Sequence, residues 1–116
     1  MLDAPDDPGR RALLHAERFN AAVLSGDWAA FARWFATDAS LRFTNAPVPP
    51  AHGRDAILAA YEAQPPDETL RVLDVAQDPA RPDVDVVRFA WASGEPGTMR
   101  IRWRDELVAE LVVTFG

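Results

Sequence analysis

The sequence contains no cysteine and no lysine, only two histidines and a single tyrosine. Without cysteine there can be no disulfide and no thiolate metal site, and His15 and His52 lack the close spacing of a paired ligand motif, so no metal is expected. No apolar run approaches the roughly 20 residues that span a bilayer. The opening stretch MLDAPDDPGRR lacks the basic-then-apolar order of a secretory leader, so the expected location is cytoplasmic, with no membrane partner. No Gly-rich phosphate loop and no Gly-x-Ser-x-Gly is present, so no cofactor is expected. A net charge of −6 argues against nucleic acid, which demands a basic footprint. All twelve basic residues are arginine, a pattern that GC-rich coding explains without any special anion chemistry.

What is present suffices for one core. The chain has 116 residues, 48% of them apolar and spread along its whole length, which points to one domain. Residues 1–9 are an acidic lead-in with Pro and Gly, and residues 10–116 form the domain. From Arg10 to Ser25, Ala12, Ala16, Phe19 and Val23 recur at helical spacing, and Gly26 suits the stop. Asp27 caps a second helix in which Trp28, Phe31 and Phe35 share a stripe, with Trp34 beside it. Ala39–Thr44 reads as a strand, and the proline-rich residues 45–51 as a loop. A third helix follows from about Arg54 to Ala63, ended by Pro65-Pro66. The period then becomes alternating: strands at Leu70–Ala76, Val84–Ala92, Thr98–Arg104 and Leu107–Phe115, the last two joined by a turn at Asp105-Glu106. Helices first and hairpins later imply helices packed on one face of an antiparallel sheet.

Local sequence then carries a resemblance. The Gly26-Asp27 between the first two helices, the run Phe35-Ala36-Thr37-Asp38-Ala39 entering the first strand, and His52-Gly53-Arg54-Asp55-Ala56-Ile57 opening helix three resemble the nuclear transport factor 2-like superfamily. The nearest branch is that of the SnoaL-like and ketosteroid-isomerase-like proteins. The Asp105-Glu106 hairpin fits too, although Gly is usual where Glu106 stands. The resemblance implies an α+β fold, a cone-shaped curved antiparallel sheet with three helices on its concave face, enclosing a deep pocket and usually dimeric. Ketosteroid isomerases use an Asp base and a Tyr–Asp pair that bonds the developing enolate. The corresponding positions here read Phe19 for the Tyr, Phe43 for the base and Arg100 for the second acid, so that mechanism is not expected. SnoaL-like cyclases use a deep acidic base, for which Asp74 and Asp85 are candidates, although an isolated strand Asp is ordinarily solvated. Epoxide-hydrolase relatives use two Asp and an Arg, which Asp74, Asp85 and Arg100 would match in type only.

The expected pocket lining is aromatic: Phe19, Val23, Trp28, Phe31, Trp34, Phe35, Phe43, Tyr61, Phe89, Trp91, Leu111 and Val113, with Arg100 as its unusual polar member. Such a site suits a small hydrophobic or aromatic molecule. His52, in the loop before helix three, is the best-placed group to titrate near neutrality. A two-residue turn at Asp105-Glu106 would pair Arg104 with Leu107, Arg102 with Ala109 and Arg100 with Leu111, turning Arg100 inward as an oxyanion donor. Met99, Ile101, Trp103, Val108 and Val112 would then form an outer apolar face for a homodimer. Three functions remain open from sequence: a binding protein of unassigned activity; an isomerase, cyclase or dehydratase working by proton transfer on a polyketide- or terpenoid-like substrate; and a protein-interaction module.

Overall fold

Glycines and caps, more than propensity, decide where the first elements begin and end. The computed structural model describes residues 8–115; the residue 1–7 part of the expected lead-in lies outside them. Helix α1 (Pro8–Ser25) ends where Gly26 takes φ +79° and its N–H bonds the Ala22 carbonyl, a left-handed stop that glycine adopts cheaply. Asp27 caps α2 (Trp28–Ala32) by accepting from the Ala30 N–H at 3.1 Å. Helix α2 is shorter than its aromatic stripe suggests. Phe35 already belongs to β1 (Phe35–Thr44), because its backbone is drawn into the sheet beside Val108 and its carbonyl accepts two bonds from the Arg54 guanidinium, at 2.9 and 2.7 Å. Long-range pairing overrides the local helical pattern.

The proline-rich segment is not all loop. Ala51–His52 forms a short β2 paired with Leu41 and Ser40 of β1. Gly53 then turns the chain at φ +91° into α3 (Arg54–Ala63), where its carbonyl accepts the Ile57 N–H. Strands β3 (Leu70–Asp78), β4 (Arg81–Trp91), β5 (Pro96–Arg104) and β6 (Leu107–Phe115) follow as a meander. The sheet order is β2-β1-β6-β5-β4-β3, antiparallel except where β1 runs parallel to β6. This is a mixed α+β architecture, a curved, unclosed six-stranded sheet with three helices. Helix α1 packs against β3 and β4, α3 against β1, and α2 against α3. No helix among the described residues is long and apolar enough to cross a membrane.

The last hairpin decides which side chains face the helices. Its turn has two residues, Asp105 and Glu106, with Asp105 at φ +57°, and Arg104 does pair with Leu107. One residue later the ladder slips. Trp103 pairs with Val108 but Arg102 pairs with Glu110, so Ala109 is an extra residue in β6, a β-bulge. Because side chains alternate with period two, that residue reverses the face of everything beyond it. Arg100 therefore lies opposite Val112, not Leu111, and points outward, where it bonds Asp78 at 2.9 Å with 45% of its side chain exposed. Met99, Ile101, Trp103 and Val108 are buried against the helices of their own chain. They need no second copy to cover them, which removes the expected outer apolar face; only Val112 of that set lies on it, beside Arg100.

Deleting Ala109 would force Arg100 and Arg102 onto the face of Leu111. The expected outcome is loss of cooperative thermal unfolding, followed by near-UV circular dichroism.

Candidate functional site

Between the helices and the concave face of the sheet lies a cavity of about 360 Å³. Its sheet side is built from alternate residues: Leu41 and Phe43 of β1, Phe89 and Trp91 of β4, Met99 of β5, and Leu111, Val113 and Phe115 of β6. Helix α1 contributes His15 and Phe19, one turn apart, α3 contributes Ala60 and Tyr61, and Gln64 caps the end of α3. The segment after α3 adds Pro66, Asp67 and Glu68, and Val48 and Leu70 complete the lining. Asn20 fixes where that segment enters β3, its side chain bonding both the N–H and the carbonyl of Leu70 at 2.9 and 2.8 Å.

The rings are ordered by stacking. Phe43 and Phe115 lie parallel with centroids 5.8 Å apart, and Trp91 continues the row at 6.2 Å from Phe115. Asn45, at φ +50°, holds the end of this wall by bonding the backbone N–H and carbonyl of Phe115. Phe89 lies over Gly97, where a Cβ would come within 2.5 Å of the ring. Behind these, Tyr61 stacks on Trp28 at 4.9 Å, and Phe31 touches His15, Phe19 and Tyr61 edge-on or tilted.

Of the residues expected in the pocket, Phe19, Phe43, Tyr61, Phe89, Trp91, Leu111 and Val113 line it, whereas Trp28, Phe31 and Phe35 stand one layer behind as core. Val23 is half-buried and outside the lining. Trp34 is at the surface, capped by the Arg18 guanidinium 3.5 Å above its ring. Arg100 is excluded by the Ala109 bulge, so it cannot serve as an oxyanion donor; Met99 takes the inward place on β5.

The candidate acids and bases lie elsewhere. Asp74 is exposed, opposite Arg88, and His52 is exposed on β2. Asp85 is completely buried but outside the cavity lining. Its carboxylate accepts from Arg11 Nε at 2.8 Å, Arg11 Nη2 at 3.2 Å and Trp103 Nε1 at 3.0 Å. That ion pair ties α1 to β4 and β5, and it leaves the carboxylate engaged by three donors.

The group that sequence missed is His15. It is 2% exposed, and burial, aided by the charge of Arg18, pushes its pKa down from 6.5 to about 4. The imidazole is therefore neutral at pH 7. Burial likewise raises the Tyr61 phenol, keeping it protonated. Neither side chain hydrogen-bonds to protein among the described residues, yet every fully enclosed polar side-chain atom there has a partner. The polar atoms of both therefore keep some exposure, and both residues line the cavity. The available signal was position: His15 is one turn before Phe19 on the apolar stripe. Among the described residues no cluster of His, Asp or Glu is arranged to hold a metal.

A family described as the SnoaL-like domain matches residues 16–111. The chain belongs to the SnoaL-like family. Among solved structures, this SnoaL-like domain is similar to a candidate isomerase from Bacillus subtilis, with a TM-score of 0.77 and 16% identity over 95% of this chain and 89% of that one. A SnoaL-like protein of unknown function from Burkholderia thailandensis gives 0.71 and 13% identity over 92% and 95%. A candidate polyketide cyclase from Sinorhizobium meliloti gives 0.63 and 22% identity over 85% and 92%. At these identities the likeness is one of fold. No curated protein matches the chain.

Two outcomes follow from the cavity. Between pH 6.5 and about 4 the unfolded chain binds a proton at His15 that the folded domain refuses, so stability falls as pH is lowered through that window, by on the order of 3 kcal/mol in full. Urea titrations at pH 7 and pH 4.5 should show this fall, and His15→Phe should reduce it. Gly97→Ala should push against the Phe89 ring and lower the melting temperature, followed by circular dichroism.

Proposed function

We propose that this SnoaL-like domain binds a small, flat hydrophobic ring compound within its cone. The observation that carries the reading is the cavity itself: about 360 Å³, walled by the Phe43–Phe115–Trp91 row and closed inwardly by His15 and Tyr61. This volume lies within the usual range for small-molecule sites, about 300–1,000 Å³, and the pattern of many apolar walls with few polar groups is what such sites share. Flat ligands suit it because parallel and offset rings favour a planar partner between them.

Binding is favoured over proton-transfer catalysis by the same geometry. An isomerase, cyclase or dehydratase needs an acid or base beside the reacting carbon. Asp74 and His52 are exposed and Asp85 is locked to Arg11 and Trp103 outside the cavity, while His15 is made a weak base by its burial. Of the two carboxylates in the lining, Asp67 is exposed and Glu68 accepts the Ser93 N–H. The candidate isomerase and candidate cyclase among the structural neighbours support a shared pocket architecture.

A thermal-shift screen with steroids, aromatic polyketides and terpenoids tests the reading. At least one class should raise the melting temperature, since ligand at 100 times its Kd stabilises by about 2.7 kcal/mol, and it should quench Trp91 fluorescence. No shift with any of the three classes would overturn the proposal.

A further inference from the structure

Resting on the binding reading above, we infer that the cavity selects uncharged ring compounds bearing one hydrogen-bonding oxygen, and that His15 is the residue that reads that oxygen. Three observations carry this. His15 and Tyr61 line the cavity, their polar atoms are incompletely enclosed and without a protein partner among the described residues, and both rings pack against Phe31, each with centroids 5.4 Å from it. They therefore mark one polar part of a mainly apolar space, whose other polar members are Gln64, Asp67 and Glu68. A neutral imidazole offers one donor and one acceptor, and a phenol can do either, so a carbonyl or hydroxyl oxygen is satisfied there in either role.

Charge supplies the second observation. No arginine lines the cavity. The two nearest on α1 are committed elsewhere: Arg11 to Asp85, and Arg18 over the ring of Trp34. The charge of Arg18 is felt at His15, but its guanidinium lies outside the lining, so a carboxylate carried to the His15 end would be buried with no guanidinium to bond, which is costly. Asp67 and Glu68, the remaining ionisable groups of the lining, lie on the segment after α3 and add negative potential against an incoming anion. A ligand ammonium would find lining carboxylates only at Asp67, which is exposed, and Glu68, which already accepts the Ser93 N–H, while the Asp85 carboxylate lies outside the lining.

The third observation is the neutral state itself. An imidazolium would suit an anionic ligand, but burial disfavours that form. The residue thus acts as a dipole and not as a charge.

Equilibrium titrations of the full chain at pH 7 with naphthalene, naphthol, naphthoate and aminomethylnaphthalene separate the possibilities. Naphthol should bind roughly five- to tenfold tighter than naphthalene, as one neutral hydrogen bond allows, and both charged probes at least about tenfold weaker than naphthol. His15→Phe should lower naphthol to the affinity of naphthalene while leaving naphthalene unchanged. Should that variant fail to fold, nitrogen NMR of the wild-type imidazole gives the same answer: naphthol should shift the His15 ring nitrogens and naphthalene should not. Naphthoate binding as tightly as naphthol, a naphthol preference that survives His15→Phe, or unmoved His15 nitrogens would overturn the inference. Equal binding of naphthol and naphthalene would leave the cavity intact and remove only the role of His15. If none of the four binds and the ligand screen is also silent, the binding reading fails with it.

Discussion

One unpaired residue in β6 governs the inside and outside of this domain. The extra Ala109 puts Met99, Ile101 and Trp103 in phase with Leu111 and Val113, and sends Arg100 and Arg102 to the opposite face. There the arginines meet Asp78 and Glu110 across strands, at a solvent-exposed surface where such pairs contribute little. The apolar core and the cavity both depend on this single phase change. Without it, guanidinium groups would occupy the hollow that aromatic rings now line.

The buried face of α1 treats its polar residues in two opposite ways. Arg11 and His15 are one turn apart and both lie near Trp103. Arg11 is matched by the buried Asp85, which also takes the indole N–H, so that both carboxylate oxygens and the indole N–H are satisfied. Removing one partner from such a set costs far more than the set contributes as a whole. His15 has no such match, and its imidazole meets only rings and open cavity. The first arrangement fixes a helix; the second leaves an imidazole without a protein partner in the lining of the cavity.

Much of this was legible in the sequence wherever short-range signals mark the ends of elements. Helix α3 runs from Arg54 to Ala63 as its Gly53 and Pro65 signals indicate, and β6 spans Leu107–Phe115. The inward aromatics Phe43, Tyr61, Phe89 and Trp91 followed from strand and helix spacing together with the resemblance. What could not be read depends on partners far along the chain. Phe35 leaves its helix because Val108 and Arg54 claim its backbone. Asp85 is neither a solvated strand residue nor a base, because Arg11 lies 74 residues away in sequence but 2.8 Å away in space. The bulge at Ala109 has no glycine or proline to announce it, and His15 looks like any polar residue interrupting an apolar stripe.

The parallel pairing of β1 with β6 bears on how the domain is made. Strand β1 is formed early in the chain, yet its partner on the inner side is the last strand, and β6 lies between β1 and β5. A chain emerging from the ribosome would carry β1, with Leu41 and Phe43, for most of its synthesis before that partner exists. Long-range pairing of this kind is slow and leaves strand edges exposed to other chains. The aromatic wall, which joins Phe43 and Trp91 through Phe115, therefore cannot be complete before the last strand is made.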